Sequence, residues 1–428
     1  MRITLWLTTF LLLFTLTVTP GSSIASKDDA HFDALRRFSQ VLDMVEGYYV
    51  NPITKKELIE DSIKGMLEQL DPHSAYLTAE DFKDMQESTS GKFSGIGIEI
   101  SMENGRLIVV SPIEDTPAYK AGLKAGDFIL EIDGESTQDI TLMDAVSKIR
   151  GPKGSTITLT IMHEDSQVPE DVAIVRGTIP IVSVKTKVLD KGYLYVRLTR
   201  FNENTTKELL EGIDEFRDDN ELKGIVLDLR NNPGGLLGQA VSVADTFLED
   251  GLIVYIQGKN EAQRKDFMAG ESKEDVSVPM VVLINSGSAS ASEIVAGALQ
   301  DHNRALLVGE RSFGKGSVQT VIPLSDGAGI KLTTALYYTP SGRSIQATGI
   351  EPDLSIPFVE PAEDDKSDLR RRFTVREKDL GGHLENANGE TPEQKKKNKE
   401  IKDMLAKDNQ LRMGLELVRS LPRLSKIK

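Results

Sequence analysis

Three short aliphatic runs limit what this chain can fold into: GIVLDLR at 224–230, MVVLIN at 280–285 and ALLVGE at 305–310. Each reads as a buried strand, because aliphatic residues follow one another without the polar alternation of a strand that has one wet face. Helical patterns separate them. In TTKELLEGIDEF (205–216) Leu209, Leu210, Ile213 and Phe216 share one face, and after Ser290 so do Ile294, Val295, Ala298 and Leu299. With YLYVRL (193–198) as a further strand, the alternation of strand and helix predicts an α/β sheet. In such sheets the turn from strand into helix is where chemistry is placed.

This α/β pattern starts near Ile179, and 428 residues hold more than one domain. From about Gly91 the runs GIGIEI, RLIVVSPI, FILEIDGE and STITLTIMH read as strands between turns rich in Gly, Pro and Asp. One helix lies among them, TLMDAVSKIRG, with Leu142, Ala145, Val146 and Ile149 on a single face. Earlier still, Phe38, Val41, Val45 and Tyr48, then Leu58, Ile59, Ile63, Met66, Leu67 and Leu70, recur at helical spacing. Glu360 to about Glu400, with its AEDD, RRR and KKK, is expected to be an extended or partly disordered connector. Leu411, Leu415, Val418 and Leu421 then mark an amphipathic helix, expected to serve packing or dimerising rather than chemistry. The expected division is a leader at 1–25, a helical module at 26–90, a strand-rich domain at 91–178, an α/β domain at 179–359, and a connector with C-terminal helix at 360–428. The amphipathic ends at 32–49 and 408–421 predict self-association into dimers or larger assemblies.

The leader has Arg2, an apolar run from Ile3 to Val18, and Ser23-Ile24-Ala25 before Lys27, the order of a secretory signal peptide. An uncleaved anchor is the alternative, since the run falls just short of the roughly 20 residues of a spanning helix. Either way the chain is expected to be exported, to a bacterial periplasm or cell envelope. There is no cysteine, hence neither a disulfide framework nor a lipidated cysteine. A net charge of -15 argues against a nucleic-acid partner.

SGSASASEIVAGALQ (286–300) puts four serines in seven residues at one of the strand-to-helix turns. Ser290-Ala-Ser-Glu293 matches the S-x-x-E capping box, and a serine there is equally placed to be a nucleophile. The G-x-S-x-G elbow is absent, because Gly287-Ser288-Ala289-Ser290-Ala291 lacks the second glycine. A nucleophile needs a base. Of the five histidines only His302 lies in this domain, about three helical turns from Ser290. The other candidate is Lys315 in RSFGKGSVQ, a useful base where desolvation lowers its pKa from about 10.4, and otherwise a solvated loop lysine. In LDLRNNPGGLL a buried strand ends in Gly234-Gly235, whose N–H groups can donate to an oxyanion. Together the three features make an acyl-transfer constellation.

DLRNNPGGLL, GSASASEI and FGKGSVQ, in that order after a strand-rich domain, resemble the carboxy-terminal processing peptidases, or tail-specific proteases. DPHSAYL and TPSGRSIQATGIEPD extend the likeness over nearly the whole mature chain. The resemblance implies a crotonase/ClpP-like α/β protease core and a serine endopeptidase. Its nucleophile falls on Ser290, not Ser288 or Ser292, its general base on Lys315 and its supporting glutamine on Gln319. The oxyanion hole falls on the Ala291 N–H with that of Gly234 or Gly235. No metal, nucleotide or other cofactor is implied.

The strand-rich block likewise resembles a PDZ domain. That resemblance makes Gly95, Ile96, Gly97 and Ile98 the loop that captures a peptide's terminal carboxylate, and TLMDAVSKIRG the groove helix. A substrate tail would add beside Ile96 to Ile100, its apolar end between Ile98 and Val146. Arg150 would read the substrate or couple this domain to the protease core, unless it is a plain solvated arginine. The implied partners are proteins with exposed C-terminal tails, with room for an activating adaptor protein. Two other readings stay open: an exported PDZ adaptor that binds tails without cutting them, and a crotonase-like acyl-group enzyme.

Overall fold

The computed structural model describes residues 27–163, 166, 168–359 and 392–424. The expected leader and residues 360–391 of the expected connector lie outside the described residues. Among the described residues no helix is long and apolar enough to cross a membrane. The chain divides into two compact units, 1–76 and 77–428.

In the first unit, α1 (Lys27–Tyr48) and α2 (Lys55–Glu68) are the expected helices. A capping box opens α2: the Thr54 hydroxyl accepts the Glu57 N–H at 3.2 Å, and the Glu57 carboxylate accepts the Thr54 N–H at 2.8 Å. Along α1, Phe32, Leu35, Phe38, Val41, Met44 and Tyr48 recur every three or four residues and are exposed.

The second unit begins with α3 (Ala79–Ser90), which ends at Gly91 with a φ of 69°, a left-handed cap that suits glycine. A small domain follows. Its elements are β1 (Lys92–Gly95), β2 (Ile98–Glu103), β3 (Arg106–Pro112), the short α4 (Pro117–Lys120), β4 (Phe128–Ile132), β5 (Glu135–Ser136), α5 (Leu142–Ile149), β6 (Thr156–Met162), β7 (Glu170–Val175) and β8 (Gly177–Pro180). The antiparallel sheet runs β2-β3-β4-β6-β7, with β5 beside β4. Alternate residues along its strands, among them Leu107, Val109, Ile157, Leu159 and Ile161, form the core with Ala145 and Ile149 of α5. The entering strand β1 pairs with the leaving strand β8, which closes the domain at its neck. Arg176 beyond β7 donates to the carbonyls of Lys148 and Ile149 at 2.9 Å each, capping the end of α5.

The larger domain carries β9 (Val184–Asp190), β10 (Tyr193–Leu198), α6 (Thr205–Asp219), β11 (Gly224–Asp228), α7 (Leu237–Asp245), β12 (Gly251–Gly258), β13 (Arg264–Ala269) and β14 (Met280–Ile284). It continues with α8 (Ala291–Asp301), β15 (Leu306–Gly309), β16 (Ser317–Pro323), β17 (Gly329–Tyr338), β18 (Leu354–Ser355), α9 (Pro392–Lys407) and α10 (Asn409–Leu424). The central sheet has the order β9-β10-β11-β14-β15-β18 and is parallel except at β9. Every residue of β11 and β14 is buried, as their unbroken aliphatic runs require. Ile225, Leu227, Val282 and Ile284 pack with Leu209 and Ile213 of α6, Val243 of α7 and Val295 of α8. Val226, Val281 and Leu283 point the other way, onto Leu411, Leu415 and Val418 of α10. A second, antiparallel sheet, β16-β17-β12-β13, has no counterpart in the expectations from sequence.

One expectation is corrected here and a second is narrowed. Residues 392–407, read as part of an extended connector, form α9: proline suits its first position, Glu, Gln and Lys are good helix formers, and Met404 and Leu405 bury against the core beside α10. The apolar stripe at 408–421, read as serving packing or self-association, is used for packing: it covers the chain's own sheet, where Leu411, Leu415 and Val418 are almost wholly buried. An unclad sheet face is a larger apolar debt than one helix stripe, so the helix is used within the chain. The stripe on α1 remains exposed.

Two tests follow from this packing. Leu415→Ala should lower unfolding stability by about 2–5 kcal/mol, read by denaturant titration, without changing the oligomeric state. His163, after β6, sits between Asp127 (2.7 Å from Nδ1) and Glu170 (3.1 Å from Nε2), and the bond to Asp127 raises its pKa above the ordinary 6.5. A raised folded-state value gives stability that is complete below the unfolded value and fades as pH rises through the folded one. His163→Gln should therefore melt well below wild type near about pH 5.5 and close to it near about pH 9.

Candidate active site

The three turns picked out from the sequence follow the carboxyl ends of three neighbouring parallel strands: 229–236 after β11, 285–290 after β14 and 310–316 after β15. Adjacency in the sheet unites segments far apart in the chain, and this edge is where open α/β sheets carry their sites.

Side-chain amides bind the first two turns together. Asn231 N–H donates to Asn285 Oδ1 at 2.9 Å, and Asn285 Nδ2 donates back to Asn231 Oδ1 at 3.0 Å. Asn232 is fully buried. Its Nδ2 donates to the Leu198 carbonyl and its Oδ1 accepts the Gly234 N–H, each at 2.9 Å, while its own carbonyl accepts from the Ala289 N–H and the Ser292 hydroxyl. Ser292 is thus a buried structural hydroxyl, as is Ser288, which donates to the Leu229 carbonyl at 2.8 Å.

Ser290 is different: half-buried, with a φ of 56° and a ψ of -113°. A non-glycine residue in such a conformation is strained and persists only where its surroundings hold it. The sequence lacks the G-x-S-x-G signature, yet the turn has the strained strand-to-helix geometry that this signature serves. The expected capping box is present at the start of α8: Glu293 accepts the Ser290 N–H at 2.7 Å, and the Glu293 N–H also donates to the Ser290 carbonyl at 2.8 Å.

Gly234 and Gly235 explain why this turn needs two glycines. A Cβ on Gly234 would stand 2.7 Å from the Ala289 carbonyl and 2.8 Å from Ser290 Cβ, and one on Gly235 would stand 2.1 Å from the Phe201 carbonyl. The Gly234 N–H is committed to Asn232; among the described residues the N–H groups of Gly235 and Ala291 have no hydrogen-bond acceptor.

The third turn is joined to the second by Glu293, which is fully buried. One of its oxygens accepts from the Ser290 N–H at 2.7 Å and the Lys315 N–H at 2.9 Å. The other accepts from the Ser312 hydroxyl at 2.6 Å and the Gly314 N–H at 2.7 Å. Behind the lysine, Gln346 accepts the Gly316 N–H at 2.9 Å. Lys315 is half-buried. Gln319, on β16, donates to Ser317 at 2.9 Å and Thr333 at 3.3 Å. His302 stands at the far end of α8, bonded to the Leu252 carbonyl at 2.7 Å.

Beneath the glycine turn lies a buried charge cluster. All five N–H groups of Arg230 are used: two on Asp228, two on Asp408 and one on Gln410, at 2.7 to 3.0 Å. The Tyr195 hydroxyl donates to Asp228 at 2.7 Å. Two residues ahead of Asn232, this cluster ties the C-terminal helices to the strand that carries the site.

In the smaller domain Gly95 ends β1, Gly97 turns with a φ of 83°, and Ile96 is a core residue at 1% exposure. The carbonyls of Ile96 and Gly97 accept from the N–H groups of Ala118 and Ile113. Ile98 packs against the same core. Val146 and Arg150 line a cleft of about 250 Å³ with Met143 and Ser94, and α3 contributes Glu80, Lys83, Asp84 and Glu87 to it. Arg150 is paired with Asp84 at 3.7 Å and lies over the Phe93 ring.

Sequence reasoning missed the residues that position the site. Glu293 was visible only as a cap, Asn232 only as part of a turn. Asn285, Ser312, Gln346 and Asp408 carry no local signal, since their roles exist only across strand and segment boundaries.

The comparisons with known proteins bear on the same regions. Residues 192–356 match the model of peptidase family S41, residues 84–162 that of the PDZ domain, and residues 17–81 that of the activating protease CtpB N-terminal domain. Together these define a class: serine peptidases that carry a PDZ domain. A carboxy-terminal-processing protease of Bartonella bacilliformis is 48% identical over 371 residues, 85% of this chain and 84% of its own length. The carboxy-terminal processing protease CtpA of Bacillus subtilis is 37% identical over 347 residues, 79% and 73% of the two chains. Among solved structures, the photosystem II D1 C-terminal processing protease is 31% identical, covers 75% of this chain and 92% of its own, and has a TM-score of 0.44. This chain belongs to the carboxy-terminal processing proteases. It is therefore a serine-type peptidase, which sets aside the non-cutting adaptor and the acyl-group enzyme.

The Glu293 network has a direct test. In Glu293→Gln an amide nitrogen faces two of the four donors, so stability should fall by about 2–4 kcal/mol in chemical denaturation and peptidase activity should fall with it.

Proposed function

We propose that this chain is an exported endopeptidase that holds protein substrates by an apolar C-terminal tail in its PDZ domain and cuts them through a Ser290–Lys315 dyad. The observation that carries the dyad is the single Glu293 oxygen that accepts both the Ser290 and the Lys315 N–H, at 2.7 and 2.9 Å. It fixes the two backbones against each other at one sheet edge.

In this reading the uncharged Lys315 amine takes the Ser290 proton as the hydroxyl attacks the scissile carbonyl. The oxyanion is held by the N–H groups of Ala291 and Gly235, the Gly234 N–H being already bonded to Asn232. Gln319 orients the lysine from the strand that follows it. Collapse of the intermediate passes the proton to the leaving amine, and water then hydrolyses the ester with the same lysine as base.

The tail adds as a strand beside Ile96 to Ile100, with its carboxylate at the Gly95 to Ile98 loop and its apolar end toward Val146 and Met143. Arg150, paired with Asp84, links this groove to α3. The leader pattern supports export to the periplasm or cell envelope. The exposed stripe on α1 supports self-association.

Cleavage of an unfolded protein with an apolar C-terminus, read by mass spectrometry, tests the proposal. Ser290→Ala and Lys315→Ala should each lose about a thousandfold or more in rate while melting like wild type. Full activity in Lys315→Ala would overturn the dyad, and equal KM for an apolar and a charged tail would overturn the PDZ role.

A further inference from the structure

Tyr337, near the end of β17, is the largest fully buried side chain of the described residues, and its N–H donates to the Gly316 carbonyl beside Lys315. Its hydroxyl is buried without a hydrogen bond of full geometry. Such groups are rare because an unmade buried bond costs stability, and where one persists at a site it asks for a reason. The Ser290 side chain lies close to the phenol, and the charge of the Glu293 carboxylate acts on it. Glu293 cannot serve it: both carboxylate oxygens already accept two donors each. The acceptor left within reach is Ser290 Oγ. Burial, with the charge of Glu293, pushes the phenol well above its ordinary pKa of 10, so it keeps its proton and stays a donor.

We propose that Tyr337 is a third catalytic residue, donating a hydrogen bond to Ser290 Oγ as that oxygen gives up its proton. The inference rests on Ser290 being the nucleophile. As the O–H bond breaks toward Lys315, charge gathers on Oγ, and a buried donor beside it becomes stronger with little reorganisation. Once the acyl bond forms, Oγ is an ester oxygen and a poorer acceptor, and the contact loosens. When water hydrolyses the ester, charge returns to Oγ and the bond tightens again. The phenol proton is never transferred.

Tyr337→Phe in the full chain tests this, since the ring keeps its volume and only the unsatisfied oxygen is removed. The variant should melt at or above the wild-type temperature, lose roughly ten- to a hundredfold in kcat with KM little changed, and label Ser290 with a fluorophosphonate more slowly by a similar factor. Wild-type kcat and labelling rate would overturn the proposal, as would a loss of activity matched by a fall in melting temperature, which marks a structural role. Ser290→Ala, assayed alongside, separates the two layers of inference. If it cuts like wild type, the nucleophile reading fails; if it is dead while Tyr337→Phe is fully active, only the role of Tyr337 fails.

Discussion

A carboxylate buried at the start of a helix, with both of its oxygens filled by donors, is the interaction on which the edge carrying the candidate site depends. Glu293 accepts four donors from the serine turn and the lysine turn. Burying such a group costs several kcal/mol unless its lone pairs are filled, and the two turns are shaped so that they fill them. It stands in the first turn of α8, where the helix dipole favours negative charge. The strain at Ser290 is sustained the same way: its N–H is held by Glu293, its helix by a packed apolar face, and its flanking carbonyl by the absence of a side chain at Gly234.

Around that anchor the larger domain is wired by polar groups that reach across the sheet edge. Asn232 couples the glycine turn to the serine turn through the two bonds that its carbonyl accepts, from the Ala289 N–H and the Ser292 hydroxyl, while lying wholly inside the protein. Arg230, two residues earlier, draws the C-terminal helices into the same structure by sharing its guanidinium between Asp228 and Asp408. A buried arginine with every donor satisfied tolerates little displacement, so the helices that clothe the second face of the sheet also hold the strand end that carries the site. The PDZ domain is joined on a different principle. Its entry and exit strands β1 and β8 form their own two-stranded ribbon, which leaves the five-strand run of its main sheet independent of the protease sheet.

How much of this could be read without coordinates varies with the range of the interaction. The strands β10, β11, β14 and β15 and the helices α6, α8 and α10 are legible because burial on one face or two leaves a direct imprint on residue type. The antiparallel sheet of β12, β13, β16 and β17 is not, since its strands mix exposed and half-buried positions without clean alternation. The lysine-rich start of α9 reads as a connector because its charge hides the short apolar end, Met404 and Leu405, that docks. In the site, the serine and the lysine stand out because glycines and serines crowd around them, whereas Glu293 looks like an ordinary cap and Tyr337 like ordinary core.

The sequence by itself determined the order of domains, the buried strands and the three turns that make up the candidate site, because each of these is written in neighbouring residues. Tertiary structure alone decided which glycine N–H is already taken, which turns share one buried carboxylate, what covers the far face of the sheet and which buried phenol lies near Ser290. Those outcomes depend on hydrogen bonds and contacts between residues tens to hundreds of positions apart. Such pairs leave no local pattern, and they come into being only when neighbouring strands lay the three turns side by side.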